Sequence, residues 1–346
     1  MVDLCRGLSD RGHEVFAALR PTCNWRERLS FLPESNILTV SIRNSFGVLS
    51  AIRIAEFVRE NNIDIIHAHV ARDYIPASIA CMAAKKAKLV ITRHVLFPLK
   101  PFNKFALKNV DRAIAVSDPV ATDLKKIFAK DKVKVIWNGL DIVPPPVDET
   151  ERLKHAFRTE HNIPADAFVI GSMGELKELK GQRDLTLAAP EILRKEPNTF
   201  FVIAGEDHST GQTFRRELKR LVSVLNLEDH FLWLNWLEDT RAFFAAIDLF
   251  VSSSHSESFG LAILEAMALS KPVAASMTEG AALLINDKEM MFKIKDPVDL
   301  AKKVVNAATD KPRLAEVGNL MRQRAMSEFS LERMVDKTEE LYREIL

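Results

Sequence analysis

Glu257-Ser258-Phe259-Gly260-Leu261-Ala262-Ile263-Leu264-Glu265-Ala266-Met267 is the stretch whose reading decides the fold. An apolar run at 248–252 precedes it, and a second run follows Pro272. Short apolar runs flanking a helical pattern are the mark of parallel strands joined by a crossover helix. Phe259-Gly260 then falls at the first turn of a helix, beyond the carboxyl end of a parallel strand. Free backbone N–H groups at such a turn form an anion site, and a glycine lets a phosphate come close. Glu257 lies in the loop before the helix, and Glu265 about one and a half turns into it. A carboxylate accepts paired hydrogen bonds from neighbouring hydroxyls, as ribose and hexose rings present them. The same spacing also describes a capped helix with solvated acids.

The alternation of strand and helix extends to both ends of the chain, the signature of α/β architecture with parallel sheets. In the first half, strands are expected at 14–18, 37–42, 63–67, 89–92, 112–116 and 133–136. Val48–Glu60 reads as a helix with Leu49, Ile52, Ala55 and Val58 as one buried stripe. Pro144-Pro145-Pro146, followed by the acidic Val147-Asp148-Glu149, makes a stiff extended linker, because proline continues neither a sheet nor a helix. Beyond it the alternation restarts, with strands at 168–172, 200–204, 231–235, 249–252 and 272–275. Helices are expected at 182–195, 212–225, 260–269 and 298–308, the last opened by Asp296 as cap and Pro297 at the first helical position. The expected domains are 1–143, 144–328 and a closing helix over 329–346.

The chain opens in a helix over 2–11, stopped by Gly12. A doubly wound domain normally begins with a strand and a glycine-rich turn. Neither is found before this helix, so the first strand of the N-terminal domain is expected to be missing. The opening helix would then lack its partner strand, and the sheet would carry a gap.

Composition bounds the function. The 346 residues suit two domains, with 47% hydrophobic and 27% charged residues and a formal net charge of +1. No global field points to nucleic acid. Cys5, Cys23 and Cys81 are scattered and odd in number, which fits a reducing compartment without a disulfide framework. No run nears the roughly 20 apolar residues that span a bilayer, and no signal peptide opens the chain. A cytoplasmic protein is expected, at most peripheral on the inner face of a membrane. Lys100, Lys104 and Lys108 line one face of 101–110, with Phe102 and Phe105 roughly opposite. That is either a solvated lysine face over core phenylalanines or a basic amphipathic helix for an anionic membrane.

The acidic motif resembles the E-x7-E signature of the retaining glycosyltransferases of family 4, and Lys271-Pro272-Val273 follows as in that family. Four further stretches resemble family elements in the same order: His67-Ala68-His69, Thr92-Arg93-His94, Asn138-Gly139-Leu140-Asp141, and Gly174-Glu175-Leu176-Lys177-Glu178-Leu179-Lys180-Gly181. The closing Phe329-Ser330-Leu331-Glu332-Arg333 resembles the start of the family's last helix, which crosses back to the first domain. The resemblance implies a GT-B fold, two Rossmann-like doubly wound domains facing across a cleft. The first would be the acceptor side and the second the nucleotide-sugar side.

The resemblance also implies roles. Lys180 would offset pyrophosphate charge, Gly174 would belong to the same donor-binding stretch, and the amides from Ser258 and Phe259 through Gly260 to Leu261 would hold the diphosphate. Glu265 would hold the ribose and Glu257 the donor sugar hydroxyls. His94 would face the reacting carbon; its other reading is a strand-end histidine bonded to backbone. No metal and no cofactor are implied beyond the nucleotide-diphosphate sugar, which is a substrate. The acceptor would be a glycan or a lipid-linked molecule, in synthesis of a cell-surface polysaccharide or lipopolysaccharide. His67, His69 and His94 also allow a metal reading, without a fourth ligand at recognisable spacing.

Three departures stand out. The opening strand and its loop are absent, Glu175 stands where the family usually has arginine, and the loop over 276–282 lacks the usual glycine pair and acid. A carboxylate at position 175 repels phosphate unless it points away or pairs with Lys177. The missing strand and Glu175 favour a second reading, a weak or inactive nucleotide-sugar-binding relative. An epimerase or a phosphorylase of the same fold needs added cleft acids or a lysine-bound pyridoxal phosphate, and neither signature is present.

Overall fold

The computed structural model describes residues 1–41 and 47–346. Ile42, the last position of the strand expected at 37–42, lies outside the described residues. The chain forms two compact units, Met1–Asp141 with Phe329–Leu346, and Ile142–Glu328.

The first unit runs α1 (Val2–Asp10), β1 (Ala17–Leu19), β2 (Ile37–Thr39), α2 (Val48–Glu60), β3 (Ile65–Ala68), α3 (Tyr74–Ala84), β4 (Lys88–Arg93), α4 (Asn103–Ala106), β5 (Arg112–Ala115), α5 (Asp118–Leu124) and β6 (Val133–Val135). Its described strands fall in two parallel sheets. One is the pair β1–β2, with Ala17 opposite Ile37. The other has the order β3-β4-β5-β6, with His67 opposite Val90 and Thr92 opposite Ile114. Leu89, Val90, Ile91 and Ala113 are fully buried, as expected for parallel strands covered on both faces.

Two expectations from periodicity fail here. The inward face of α2 is Ala51, Ile54, Ala55 and Val58, while Leu49 is 80% exposed. The apolar positions of this helix fit two overlapping stripes, and contact with α3 selects the one with small residues: Ala51 and Ala55 cluster with Ala80 and Ala84. In 101–110 only α4 is helical. Phe102 and Phe105 are not core residues, at 47% and 80% exposed; Leu107 and Val110 are buried instead.

The second unit runs α6 (Val147–Glu160), β7 (Phe168–Met173), α7 (Gln182–Lys195), β8 (Thr199–Ala204), α8 (Thr213–Val224), β9 (Phe231–Leu234), α9 (Arg241–Ala246), β10 (Leu249–Ser252), α10 (Leu261–Ala268), β11 (Val273–Ser276), α11 (Glu279–Ile285), β12 (Met291–Phe292), α12 (Pro297–Thr309) and α13 (Lys311–Glu328). Val147-Asp148-Glu149, read above as linker, is the first turn of α6. Acids there complement the positive end of the helix dipole, and Pro146 stops the chain from entering the helix earlier. The Asp296 side chain accepts the Asp299 N–H at 2.9 Å and Pro297 follows it, as the start signal implied. All six strands are parallel in the order β12-β11-β10-β7-β8-β9. The chain therefore builds outward from β7 in one direction through β8 and β9, and in the other through β10, β11 and β12. The switch point lies between β7 and β10, and the crevice beyond the carboxyl ends of those two strands is where open α/β sheets bind ligands.

The last helix, α14 (Leu331–Arg343), belongs to the first unit. The Ser330 hydroxyl caps it by accepting the Arg333 N–H. Leu341 packs with Val90, Ile114 and Ile136, and Val335 packs with Leu4 and Leu8 of α1. Arg11 adds ion pairs to Asp336 and Glu339 at 2.6 and 2.9 Å. The reading from sequence expected the opening helix to lack a partner strand; its apolar side is covered by the helix α14. The Asn138-Gly139-Leu140-Asp141 turn meets the start of α14, with the Leu331 N–H donating to the Leu140 carbonyl at 3.1 Å. Among the described residues no helix is long and apolar enough to cross a membrane.

Candidate functional site

Two loops leave the carboxyl ends of the strands that flank the switch point. The first follows β7 and carries Gly174 to Lys180; the second follows β10 and carries Ser253 to Gly260. Their tips meet. Lys180 Nζ donates to Glu257 Oε2 at 2.7 Å, with side chains 28% and 15% exposed. Gly174 lies against the stem of the same lysine: a methyl group on it would stand 3.9 Å from Lys180 Cδ. Gly260 adjoins Glu257 in the same way, at 3.4 Å from its Cγ. Gly174, Lys180, Glu257 and Gly260 therefore form one cluster.

Gly260 is the N-cap of α10, at φ 102°. The helix starts at Leu261, so Phe259 precedes it rather than lying in its first turn, and the Phe259 side chain is buried. The first intrahelical bond closes from the Leu264 N–H to the Gly260 carbonyl at 3.0 Å. The amides of Leu261, Ala262 and Ile263 precede that bond and have no intrahelical acceptor, the usual state of a helix start. The stretch 276–282, read from sequence as a loop, is loop only between the end of β11 and Thr278, the cap of α11; Gly280 lies in the first turn of α11, and its N–H is spent on the Glu257 carbonyl at 3.1 Å.

Glu265 lies on α10 and its Oε1 accepts the Thr240 hydroxyl, from the turn that follows β9. Burial raises its carboxyl pKa, and the Thr240 hydrogen bond partly opposes the rise. Glu175 pairs with Lys177, one of the two arrangements in which a carboxylate beside a phosphate site is tolerated. Charge at the tip of this loop is thereby balanced without drawing on Lys180.

In the first unit, His67 is the next-to-last residue of β3 and His94 follows β4, and the neighbouring strands bring them together with His69. His67 and His69 have ring centroids 4.1 Å apart, and His69 and His94 stack at 5.6 Å. His69 Nδ1 and His94 Nε2 are 3.3 Å apart, so one nitrogen donates and the other accepts. His67 bonds the Tyr342 hydroxyl at 2.5 Å and the Thr92 hydroxyl at 2.7 Å. Burial, with repulsion from His94 and the amino terminus, lowers the pKa of His67 to about 3. Burial, with the amino terminus and Arg93, lowers that of His94 to about 4. His69 falls well below its ordinary value, by burial first and then by repulsion from His67 and His94. All three rings are neutral at physiological pH. Among the described residues no group of three or more His, Cys, Asp or Glu side chains could hold a metal ion.

Reading the sequence missed Thr240, Tyr342, Ser253, His255 and Asp184. Ser253, His255 and Asp184 lie next to motifs in sequence, but the partners they meet do not: His255 and Asp184 are 71 positions apart. No spacing rule could have joined them.

The comparisons with known proteins bear on family and fold. The family model "Glycosyltransferase Family 4" matches residues 1–143, and "Glycosyl transferases group 1" matches residues 154–324. The chain is 27% identical over 343 residues to the lipopolysaccharide core biosynthesis glycosyltransferase LpsE of Rhizobium meliloti, covering 97% of this chain and 92% of that protein. It is 24% identical over 365 residues to the N-acetyl-alpha-D-glucosaminyl L-malate synthase of Bacillus anthracis, covering 99% and 92%. Among solved structures, Anabaena Alr3699/HepE in complex with UDP and glucose superposes with a TM-score of 0.82 at 21% identity, covering 99% of this chain and 95% of that one. Sucrose-phosphate synthase from Thermosynechococcus elongatus gives 0.79 at 19% identity, covering 99% and 91%. These structural likenesses give the fold as GT-B, and the two family models between them show that the chain belongs to glycosyltransferase family 4.

Proposed function

We propose that this glycosyltransferase moves a sugar, with retention, from a nucleotide-diphosphate sugar to a glycan or lipid-linked acceptor in lipopolysaccharide or related polysaccharide synthesis. The observation that carries the proposal is the Lys180–Glu257 contact beside the start of α10, at the switch point of the second unit's sheet. Lys180 and the amides at the helix start supply positive charge where a diphosphate leaves, and a preorganised charge of that kind lowers the barrier most where charge develops. Glu257 lies where it can accept donor-sugar hydroxyls, and Glu265 where it can accept those of the ribose. His94, neutral, can donate or accept a hydrogen bond at the reacting sugar without adding charge. The relative LpsE, named for lipopolysaccharide core biosynthesis, supports the acceptor class.

A thermal-shift screen of UDP, GDP and ADP and their sugar conjugates tests the proposal, because a ligand that binds only the folded state raises the melting temperature. At least one conjugate should stabilise the chain, and Lys180→Ala and Glu265→Ala should each weaken it by about 1–3 kcal/mol through lost charge-assisted hydrogen bonds. Affinities unchanged in both variants sink the assignment.

The reaction needs no metal and no further cofactor under this proposal, since Lys180 and the helix amides neutralise the diphosphate. Turnover should survive excess EDTA. Complete loss, reversed by magnesium or manganese, would reject this part of the mechanism.

Peripheral membrane contact fits the surface around α4. Phe97 and Phe105 are 69% and 80% exposed, and Lys100, Lys104 and Lys108 are exposed beside them. Apolar tips flanked by cations suit an anionic lipid interface, each lysine contributing about 1 kcal/mol near the surface. The protein should co-sediment with phosphatidylglycerol-containing vesicles at low salt, and Phe105→Asp should release most of it. Equal sedimentation of the variant would remove this surface from the account.

A further inference from the structure

We propose that His255 and Asp184 are positioning residues for Lys180: together they lock the Lys180 turn onto the Glu257 loop and thereby set the geometry of the diphosphate site. The inference rests on the donor-site reading above and names residues that neither the motifs nor the proposed mechanism uses.

Lys180 sits in a turn anchored on both sides by the loop after β10. On one side, the His255 N–H donates to the Leu179 carbonyl at 2.8 Å. On the other, the Ser253 hydroxyl donates to the Gly181 carbonyl at 2.7 Å. Gly181 has φ +66°, and a methyl group there would stand 1.9 Å from the Ser253 carbonyl oxygen and 3.3 Å from His255 Cδ2. The two backbones are therefore as close as glycine allows. The turn has a third tether on its other flank, where Gln182 Nε2 donates to the Glu175 carbonyl at 3.0 Å.

Besides Lys180–Glu257, a second side-chain pair runs across this contact. His255 Nε2 lies 2.7 Å from Asp184 Oδ2, with side chains 7% and 13% exposed. A carboxylate only accepts, so the ring nitrogen carries the proton. Asp184 is the third residue of α7, whose cap is Gly181. The pair thus ties the first turn of α7, immediately after Lys180, to the residue two positions before Glu257. An exposed pair in this place would do little. A nearly buried one leaves an unsatisfied group when either partner is removed.

The functional consequence follows from distance. Lys180 and Glu257 come from different loops, and their 2.7 Å contact requires both loops in register. A supporting shell that loosens the turn by an ångström or so costs a charge-assisted contact most of its strength. Neither His255 nor Asp184 need touch the donor for this.

The test uses the full chain and whichever of UDP, GDP or ADP binds it most tightly, with dissociation constants from calorimetry. His255→Ala and Asp184→Ala are expected to weaken binding about tenfold. Asp184→Asn and His255→Gln, which keep a hydrogen bond across the gap, should stay within about threefold. In a Lys180→Ala background the His255→Ala change should lose most of its effect, because the group it positions is gone. A general loss of fold would act equally in both backgrounds. The inference is overturned if folded His255→Ala binds as wild type, or if its effect is the same with and without Lys180. If His255→Ala does not fold, the Asp184→Ala variant is read by the same two criteria. If the wild-type chain binds none of the three nucleotides, the donor-site reading itself fails, and that result is distinct from a wild-type chain that binds while its variants are indifferent.

Discussion

Replacing Gly181 by alanine is expected to destabilise the second unit by about 3–5 kcal/mol and to abolish measurable donor binding. Two penalties add. The residue has φ +66°, where an L side chain costs roughly 1–2 kcal/mol. The new methyl group would also stand 1.9 Å from the Ser253 carbonyl oxygen, well inside contact distance. That neighbour is backbone, so no rotamer change relieves the clash. Either the Lys180 turn lifts away from the β10 loop or β10 itself moves, and both separate Lys180 from Glu257. Urea unfolding with a probe in the second unit reads the first effect, and nucleotide calorimetry the second. An unchanged midpoint would show that the two loops are not in contact in solution.

Acid should loosen the first unit well before carboxylate protonation dominates. His67 and His94 have pKa values lowered to about 3 and about 4, and His69 is lowered well below its ordinary value. In the unfolded chain all three take up protons near pH 6.5. The sign follows directly. Above pH 6.5 the rings are neutral in both states and the contribution to stability is complete. As pH falls from about 6.5 towards 4, the unfolded state binds protons that the folded state refuses, and stability drops. Each unit of difference is worth about 1.4 kcal/mol, so the cluster loses several kcal/mol across that window. Hydrogen exchange of the β3 and β4 amides, corrected for intrinsic rates, should show constant protection from pH 8 to 7 and a steep fall below 6.5. His67→Asn combined with His69→Gln should flatten the slope. Protection that rises on acidification would reverse the assignment.

The candidate site was legible in the sequence to the extent that its residues are close along the chain. Glu257, Gly260 and Glu265 fall in one loop-and-helix segment, and Gly174, Lys180 and Gly181, proposed to face the diphosphate, fall in a second local stretch. That Lys180 and Glu257 touch was not legible: they are 77 positions apart, and the contact exists because β7 and β10 are sheet neighbours. For Glu175 the sequence left two arrangements open, pointing away or pairing with Lys177, and the loop conformation selects the pairing.

By itself the sequence determined the alternation of parallel strands and crossover helices, the stop at Pro144-Pro145-Pro146, and the start of α12 at Asp296-Pro297. These follow from forces that act within a few residues: side-chain periodicity, the fixed φ of proline and a capping hydrogen bond. Tertiary structure alone decided which stripe of α2 faces inward, that Phe102 and Phe105 point to solvent while Leu107 and Val110 fill the core, and that α14 covers α1. It also decided that His255 meets Asp184. Burial of apolar area is non-directional. The sequence can therefore state which residues should be buried, and only the packing of elements distant along the chain selects among faces that are nearly equal in hydrophobicity.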